Sequence, residues 1–152
     1  MADIKTLIRE YLKNARVLQL ATSVDNKPWA CNVHFYSDDD LNLYWISNLE
    51  RRHSQDIKQN PNAAITIKVH EDTLEEHYII GLSAEGKATL ATMEDAKRIS
   101  ELYRKKLDKD PKTVEDALTE TSQNKFYRLT PIKFIVFDTK TFSEHPRQEI
   151  TL

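Results

Sequence analysis

Val17-Leu-Gln-Leu-Ala-Thr-Ser-Val-Asp-Asn-Lys-Pro-Trp-Ala-Cys-Asn-Val-His-Phe-Tyr36 is the stretch on which the fold turns. From Val17 to Ser23 the apolar residues recur with a period of two, which predicts a strand, and Asp25-Asn-Lys-Pro28 supplies turn chemistry. The return strand, Trp29 to Tyr36, places Trp29, Cys31, Val33 and Phe35 on one face and Asn32, His34 and Tyr36 on the other. Asp38-Asp39-Asp40 marks the next turn, and Leu41 to Ser47 reads as a third, aromatic-rich strand. The three strands are expected to form an antiparallel meander.

Outward from this hairpin the period changes. Ile4, Leu7, Ile8, Tyr11 and Leu12 recur at helical spacing, with Asp3 as N-cap. Downstream, a short helix over Ser54 to Asn60 is stopped by Pro61. A strand follows from Ala63 to Val69, then one long or bent strand from His77 to Thr89 around Gly81 and Gly86. Thr92 caps an amphipathic helix whose apolar face holds Ala96, Ile99, Leu102 and Tyr103, and whose basic face reads as solvated. Asp110-Pro111 opens a shorter helix, since proline is tolerated at the first helical position. The last strand, Phe126 to Asp138, is expected to be interrupted or edge-placed at Pro131.

The organisation is one domain over residues 1–152, with an N-terminal helix (1–15), a helical insertion (92–121) and a polar tail (143–152), extended or loosely ordered. The fold class is mainly β with peripheral α: a six-stranded antiparallel barrel. With only two glycines, Gly81 and Gly86, the chain can supply neither a dinucleotide fingerprint nor a P-loop.

Composition narrows the function classes. A 39% hydrophobic and 30% charged chain of 152 residues suits a globular domain with a proper core. A formal charge of −2 gives no bulk attraction to nucleic acid or anionic lipid. The single cysteine, Cys31, excludes an internal disulfide and suits a reducing compartment. The opening Met-Ala-Asp-Ile-Lys lacks a basic-then-apolar signal, and no apolar run approaches membrane-spanning length. A cytoplasmic protein with no nucleic-acid or membrane partner is expected.

The chemistry concentrates in Ile46-Ser-Asn-Leu-Glu-Arg-Arg-His-Ser-Gln-Asp-Ile-Lys-Gln-Asn-Pro61. Ser47, Arg51, Arg52 and His53 are hydrogen-bond donors set between a strand end and a helix start, whose free N–H groups add partial positive charge. That combination suits a phosphate monoester. Other constellations read as structural. Cys31 and His34 are three apart on a strand and so face opposite sides, which argues against a nucleophile–base pair. His34, His53, His70, His77 and Cys31 lack metal-ligand spacing, and the segments His70-Glu71-Asp72 and Glu75-Glu76-His77 flank an acidic loop; no metal is expected. Trp29, Phe35, Tyr36, Tyr44 and Trp45 lack the basic groove of a nucleic-acid stacking platform and read as core or dimer-interface packing.

The segment also resembles the FMN-binding split barrels related to pyridoxamine 5′-phosphate oxidase. Those proteins carry a strand ending Tyr-Thr-Asn, then Ser-Arg-Lys, then a helix closed by Asn-Pro and an alanine- or valine-rich strand. Here the corresponding residues are Ile46-Ser47-Asn48, Arg51-Arg52-His53, Asn60-Pro61 and Ala63-Ala64-Ile65, without a gap. The preceding hairpin, with Ala21-Thr22 and Lys27-Pro28, matches as well. The resemblance implies a split barrel and a homodimer with FMN between protomers. It also implies phosphate contacts from Ser47, Arg52 and His53, with Arg51 adding a second guanidinium. Cys31, Asn32, Val33 and His34 would lie along the isoalloxazine, with Ile46 nearby. Cys31 stands where the family has an arginine, and His53 where it has a lysine. His145-Pro146-Arg147 does not reproduce the C-terminal arginine and histidine of the true oxidases. The resemblance therefore implies another branch: an FMN-dependent oxidoreductase acting by hydride transfer at flavin N5. The alternatives on the same fold are a flavin- or haem-binding sensor without turnover and a deazaflavin-dependent reductase.

Overall fold

The computed structural model describes residues 3–70, 73, 75 and 77–152. In chain order the elements are α1 (Ile4–Asn14), β1 (Val17–Val24), β2 (Lys27–His34), β3 (Tyr36–Ser37), β4 (Leu43–Asn48) and α2 (Arg52–Gln59). Then follow β5 (Asn62–Lys68), β6 (Ile80–Leu90), α3 (Met93–Leu107), α4 (Pro111–Ala117), β7 (Asn124–Asp138) and β8 (Arg147–Thr151). One antiparallel sheet of eight strands runs β2-β1-β5-β6-β7-β4-β3, with β8 added to β7. The six expected strands are present; β3 and β8 are the additional short ones.

The first hairpin forms for the reasons its sequence suggests. Asp25 and Asn26 both take left-handed conformations, with φ of 52° and 62°, between the paired residues Val24 and Lys27. Asx residues tolerate that region, and two such positions suit the twist of a tight hairpin. Trp29, Cys31 and Val33 lie opposite Thr22, Leu20 and Leu18, so the expected alternation holds.

The meander stops there, which corrects the expectation. β4 pairs with β7 rather than β2, with Trp45 opposite Tyr127. Only Phe35, fully buried, separates β2 from β3, yet the two strands stand at opposite ends of the hydrogen-bonded order. The sheet is therefore curled until its two ends meet, the half-closed form of a split barrel. Leu43 and Trp45 point into its core with Leu18, Leu20, Ile65, Leu82 and Phe134, while α1 closes one end with Ile8 and Leu12. Tyr44 points the other way, packing with Ala96, Ile99 and Tyr103 of α3 and Val114 of α4. Burial on both faces explains why β4 reads as a near-continuous apolar run.

Pro131 is not at an edge. β7 is central, hydrogen-bonded to β6 along its length, but on its other side it meets β4 only up to Leu129 and β8 only from Lys133. Pro131 occupies the changeover, opposite the register shift at Glu85/Gly86, where a missing N–H breaks no ladder. The tail also orders: Ile150 of β8 sits opposite Phe134 and packs against the core. The long strand begins at Ile80 rather than His77. Glu71, Asp72 and Glu76 of the acidic loop lie outside the described residues. Among the described residues, no helix is long and apolar enough to cross a membrane.

Candidate functional site

The end of β4 and the start of α2 are joined by a tight turn. Asn48 closes it twice: its backbone oxygen accepts from Arg51 N–H at 3.1 Å, and its side-chain oxygen from Glu50 N–H at 2.8 Å. α2 starts at Arg52, two residues before the expected Ser54. Arg51 is its N-cap, with extended backbone and no side-chain cap bond, so the first-turn N–H groups lack a side-chain acceptor. The helix is anchored to β1 by the buried Asp56, which accepts from Thr22 Oγ at 2.8 Å, and by Asn60 Nδ2 donating to Ser23 O at 2.9 Å.

This places His53 against Ser47, with Nε2 and Oγ 2.7 Å apart. Around them lies a cleft of about 310 Å³. It gathers Asn32, Val33 and His34 from the free edge of β2, Ile46 and Ser47 from β4, and Arg51 and His53 at the head of α2. Seven of the nine residues singled out from the sequence thus share one cavity.

Cys31 and Arg52 do not line it. Cys31, half-buried, packs against the core opposite Leu20, and burial pushes its thiol pKa up, which suits packing rather than nucleophilic chemistry. Arg52 lies over the Trp29 ring at 4.7 Å, with its Nε 3.6 Å from Asp56. Lys109 belongs to the cleft although the sequence did not single it out. It sits in the α3–α4 connection, after the left-handed Asp108, and its Nζ reaches His34 Nδ1 at 2.8 Å. Tyr103 and Asn124 also line the cleft. The Asp-Lys-Asp-Pro run signals the turn that carries Lys109, but no local pattern says where that turn lands. Among the described residues, no three His, Cys, Asp or Glu side chains gather as a metal site would require.

Both histidines are held below the ordinary imidazole pKa. For His53 the cause is burial, reinforced by the Arg51 guanidinium and partly opposed by Asp56. For His34 it is burial, then the Lys109 and Arg16 charges. The cleft therefore rests with neutral imidazoles beside fixed cations, and a phosphate dianion entering it would favour protonation of His53. Two opposite pH trends are expected. Without ligand, these histidines resist the proton that the unfolded chain accepts, so their contribution is full above 6.5 and declines as pH falls through the depressed folded pKa. Affinity for a phosphate ester should instead rise on acidification, because binding takes up a proton. Thermal unfolding with and without phosphate ester at about pH 7.5 and about pH 6 checks this, bearing in mind imidazole's titration near ~6.5. His53→Asn should flatten the affinity trend; an unchanged slope would reject His53 as its source.

The curled sheet defines a split-barrel protein with a cleft at a helix start that Arg51, His53 and Lys109 line. The sequence pattern of the pyridoxamine 5′-phosphate oxidase family matches residues 4–142, and the chain belongs to that family. The fold is similar to that of General Stress Protein 26 from Bacillus anthracis str. Sterne, at 17% identity over 98% of this chain and 98% of that one, TM-score 0.67. It is similar to a heme binding protein from Mycobacterium smegmatis, at 12% identity over 99% of this chain and 59% of that one, TM-score 0.80. Campylobacter jejuni ChuZ is similar at 18% identity over 97% of this chain and 59% of its own, TM-score 0.74. No curated protein sequence matches the chain.

Proposed function

We propose that this chain is a single-domain, homodimeric FMN-binding protein and an oxidoreductase of the pyridoxamine 5′-phosphate oxidase family. The observation that carries the reading is the Ser47–His53 pair beside Arg51 at a helix start without a side-chain cap. A phosphate monoester matches that donor set: hydroxyl, imidazole, guanidinium and free N–H groups converge on one acceptor-rich group. The edge of β2, from Asn32 to His34, offers backbone donors and acceptors for the polar rim of the isoalloxazine, and Ile46 and Val33 offer apolar contact. When bound, FMN would supply hydride transfer at N5. The chain's own part is to hold the phosphate, orient the ring and set the polarity around it; no side chain is assigned as acid or base. Arg52 would join the phosphate contacts by releasing Trp29 and Asp56.

A homodimer is supported by the outer face of the sheet. β2 is paired on one side only, and Ala21, Ala30 and Ala64 lie exposed in one row across β2, β1 and β5. Ile132, beside Ala21 and Ala64, is 43% exposed, which a second protomer would cover. Cys31 is free, which suits a reducing cytoplasm.

The deciding experiment is an absorbance spectrum of the protein as purified, then mass identification of what denaturation releases. A flavin absorbance spectrum and release of FMN are expected, the isoalloxazine being the chromophore. A Soret band would instead assign the cleft to haem, the ligand named for the Mycobacterium smegmatis protein. A released deazaflavin would assign it to that coenzyme. Colourless protein that leaves added FMN unbound would end the flavin reading. Bound flavin that no nicotinamide donor bleaches would favour a sensor over an enzyme.

A further inference from the structure

The cleft has a second positive pole that phosphate binding at Ser47, Arg51 and His53 leaves unused. Lys109 enters it from the link between α3 and α4, and its Nζ lies 2.8 Å from His34 Nδ1. An ammonium carries donors only, so Nδ1 is the acceptor and the neutral ring keeps its proton on Nε2. The pair therefore presents donors, one of them fully charged.

Backbone contacts on both sides fix where Lys109 stands. Its own N–H donates to Arg104 O at 3.0 Å and closes α3, just after Asp108 turns the chain through the left-handed region at φ 52°. Asp110 then opens α4 by accepting from Lys112 N–H at 2.9 Å. Arg16 Nη2 donates to Leu107 O at 2.8 Å and Lys106 Nζ to Leu12 O at 3.0 Å, which ties the end of α3 to the end of α1. The charge itself stays unpaired. Among the described residues, no carboxylate lines the cleft and none stands within ion-pair distance of the Lys109 ammonium.

The two poles are electrostatically separate. The charges that act on His53 are those of Arg51 and Asp56, and those that act on His34 are Lys109 and Arg16. Val33 and Ile46 add apolar contact to the same cleft. A ligand that fills it meets donors in two places and apolar wall besides. FMN has that form, with one acceptor-rich end at its phosphate and another at its pyrimidine carbonyls.

We propose that Lys109, with His34 beside it, binds the N1–C2=O edge of the flavin, so that the α3–α4 link reads the ring while the head of α2 reads the phosphate. This assignment rests on the flavin reading of the cleft and adds to it a residue from outside the Ile46–Pro61 segment. Donors alone call for an acceptor edge, which excludes the flavin N3–H. A full charge, rather than one more neutral donor, suits the edge where reduced flavin concentrates its negative charge. Lys109 would therefore favour the reduced over the oxidised cofactor and raise its potential.

The test compares the parent with Lys109→Met, which keeps an aliphatic stem without charge, and with Lys109→Arg, which keeps the charge. FMN and riboflavin are titrated into the full chain by flavin fluorescence, and the midpoint potential of bound FMN is measured for each variant. Lys109→Met is expected to weaken both flavins by a common factor of about fivefold to tenfold, the loss of one charge-assisted contact. It should also lower the potential, and Lys109→Arg should restore both properties. Because the link is anchored by Arg104, Arg16 and Lys106 and not by Nζ, Lys109→Met should melt with the parent. A loss confined to FMN would put Lys109 at the phosphate and overturn the proposal. Unchanged affinity and potential in Lys109→Met, with the parent binding FMN, would overturn it and leave the flavin reading standing. A parent chain that binds no FMN would end both.

Discussion

Gly86→Ala is expected to destabilise the chain by about 3 kcal/mol or more, whereas Gly81→Ala on the same strand should move stability by about 0.5 kcal/mol or less. A Cβ at Gly86 would sit 2.8 Å from Pro131 Cα and against the carbonyl of Thr130. Both obstacles are backbone of β7, the central strand, so relief requires moving the sheet rather than rotating a side chain. The close approach is a product of the register shift at Glu85/Gly86 opposite Pro131. At Gly81 an added Cβ meets nothing within 4 Å. Urea or thermal unfolding of the two variants checks the contrast. Equal stabilities would mean that β6 and β7 do not approach as described.

Arg51→Ala should weaken FMN roughly tenfold to a hundredfold and leave riboflavin affinity nearly unchanged. A charge-assisted bond to phosphate contributes ~1.5–3 kcal/mol, and riboflavin lacks the phosphate. Ser47→Ala should act in the same direction with a smaller effect, since it removes a neutral donor and His53's partner at 2.7 Å. Fluorescence titration with both flavins reads the difference. Parallel losses for FMN and riboflavin would place Arg51 at the ring rather than the phosphate. A loss for Arg52→Ala as large as for Arg51→Ala would mean that Trp29 and Asp56 release Arg52 when the cofactor binds.

Much of the fold was legible because local chemistry decides it. Asp3 and Thr92 cap their helices by accepting from Thr6 N–H and Asp95 N–H, as their side chains allow. Pro111 opens α4, and Asp25-Asn26 turns the first hairpin. The partner of β4 was not legible. Trp45 and Tyr127 are far apart in sequence, and two-residue periodicity gives a strand's faces but not its neighbours. β8 escaped because Arg147-Gln-Glu-Ile-Thr151 carries one apolar residue, Ile150, and reads as tail. The start of α2 lies two residues before the expected Ser54, because its N-cap, Arg51, makes no side-chain cap bond that would mark the boundary.

The cleft was legible in part for the same reason. Ser47, Arg51 and His53 lie within one turn of chain, and the tight link at Asn48 brings them together. Asn32, Val33 and His34 join through the curl of the sheet, which the family resemblance implied and residue spacing alone could not. Arg52 pairs with Asp56 one helical turn on, an i,i+4 contact that its spacing allowed. Lys109 arrives from a loop between helices, a placement that depends on long-range packing.

The one-residue crossing at Phe35 has a consequence for access. Because β2 and β4 meet without pairing, the line between them is a seam in an otherwise hydrogen-bonded wall. A ligand wedged there parts side chains and displaces water but severs no strand ladder. The rest of the sheet can remain stiff while this line gives way, so admission is governed by the side chains at the seam rather than by partial unfolding.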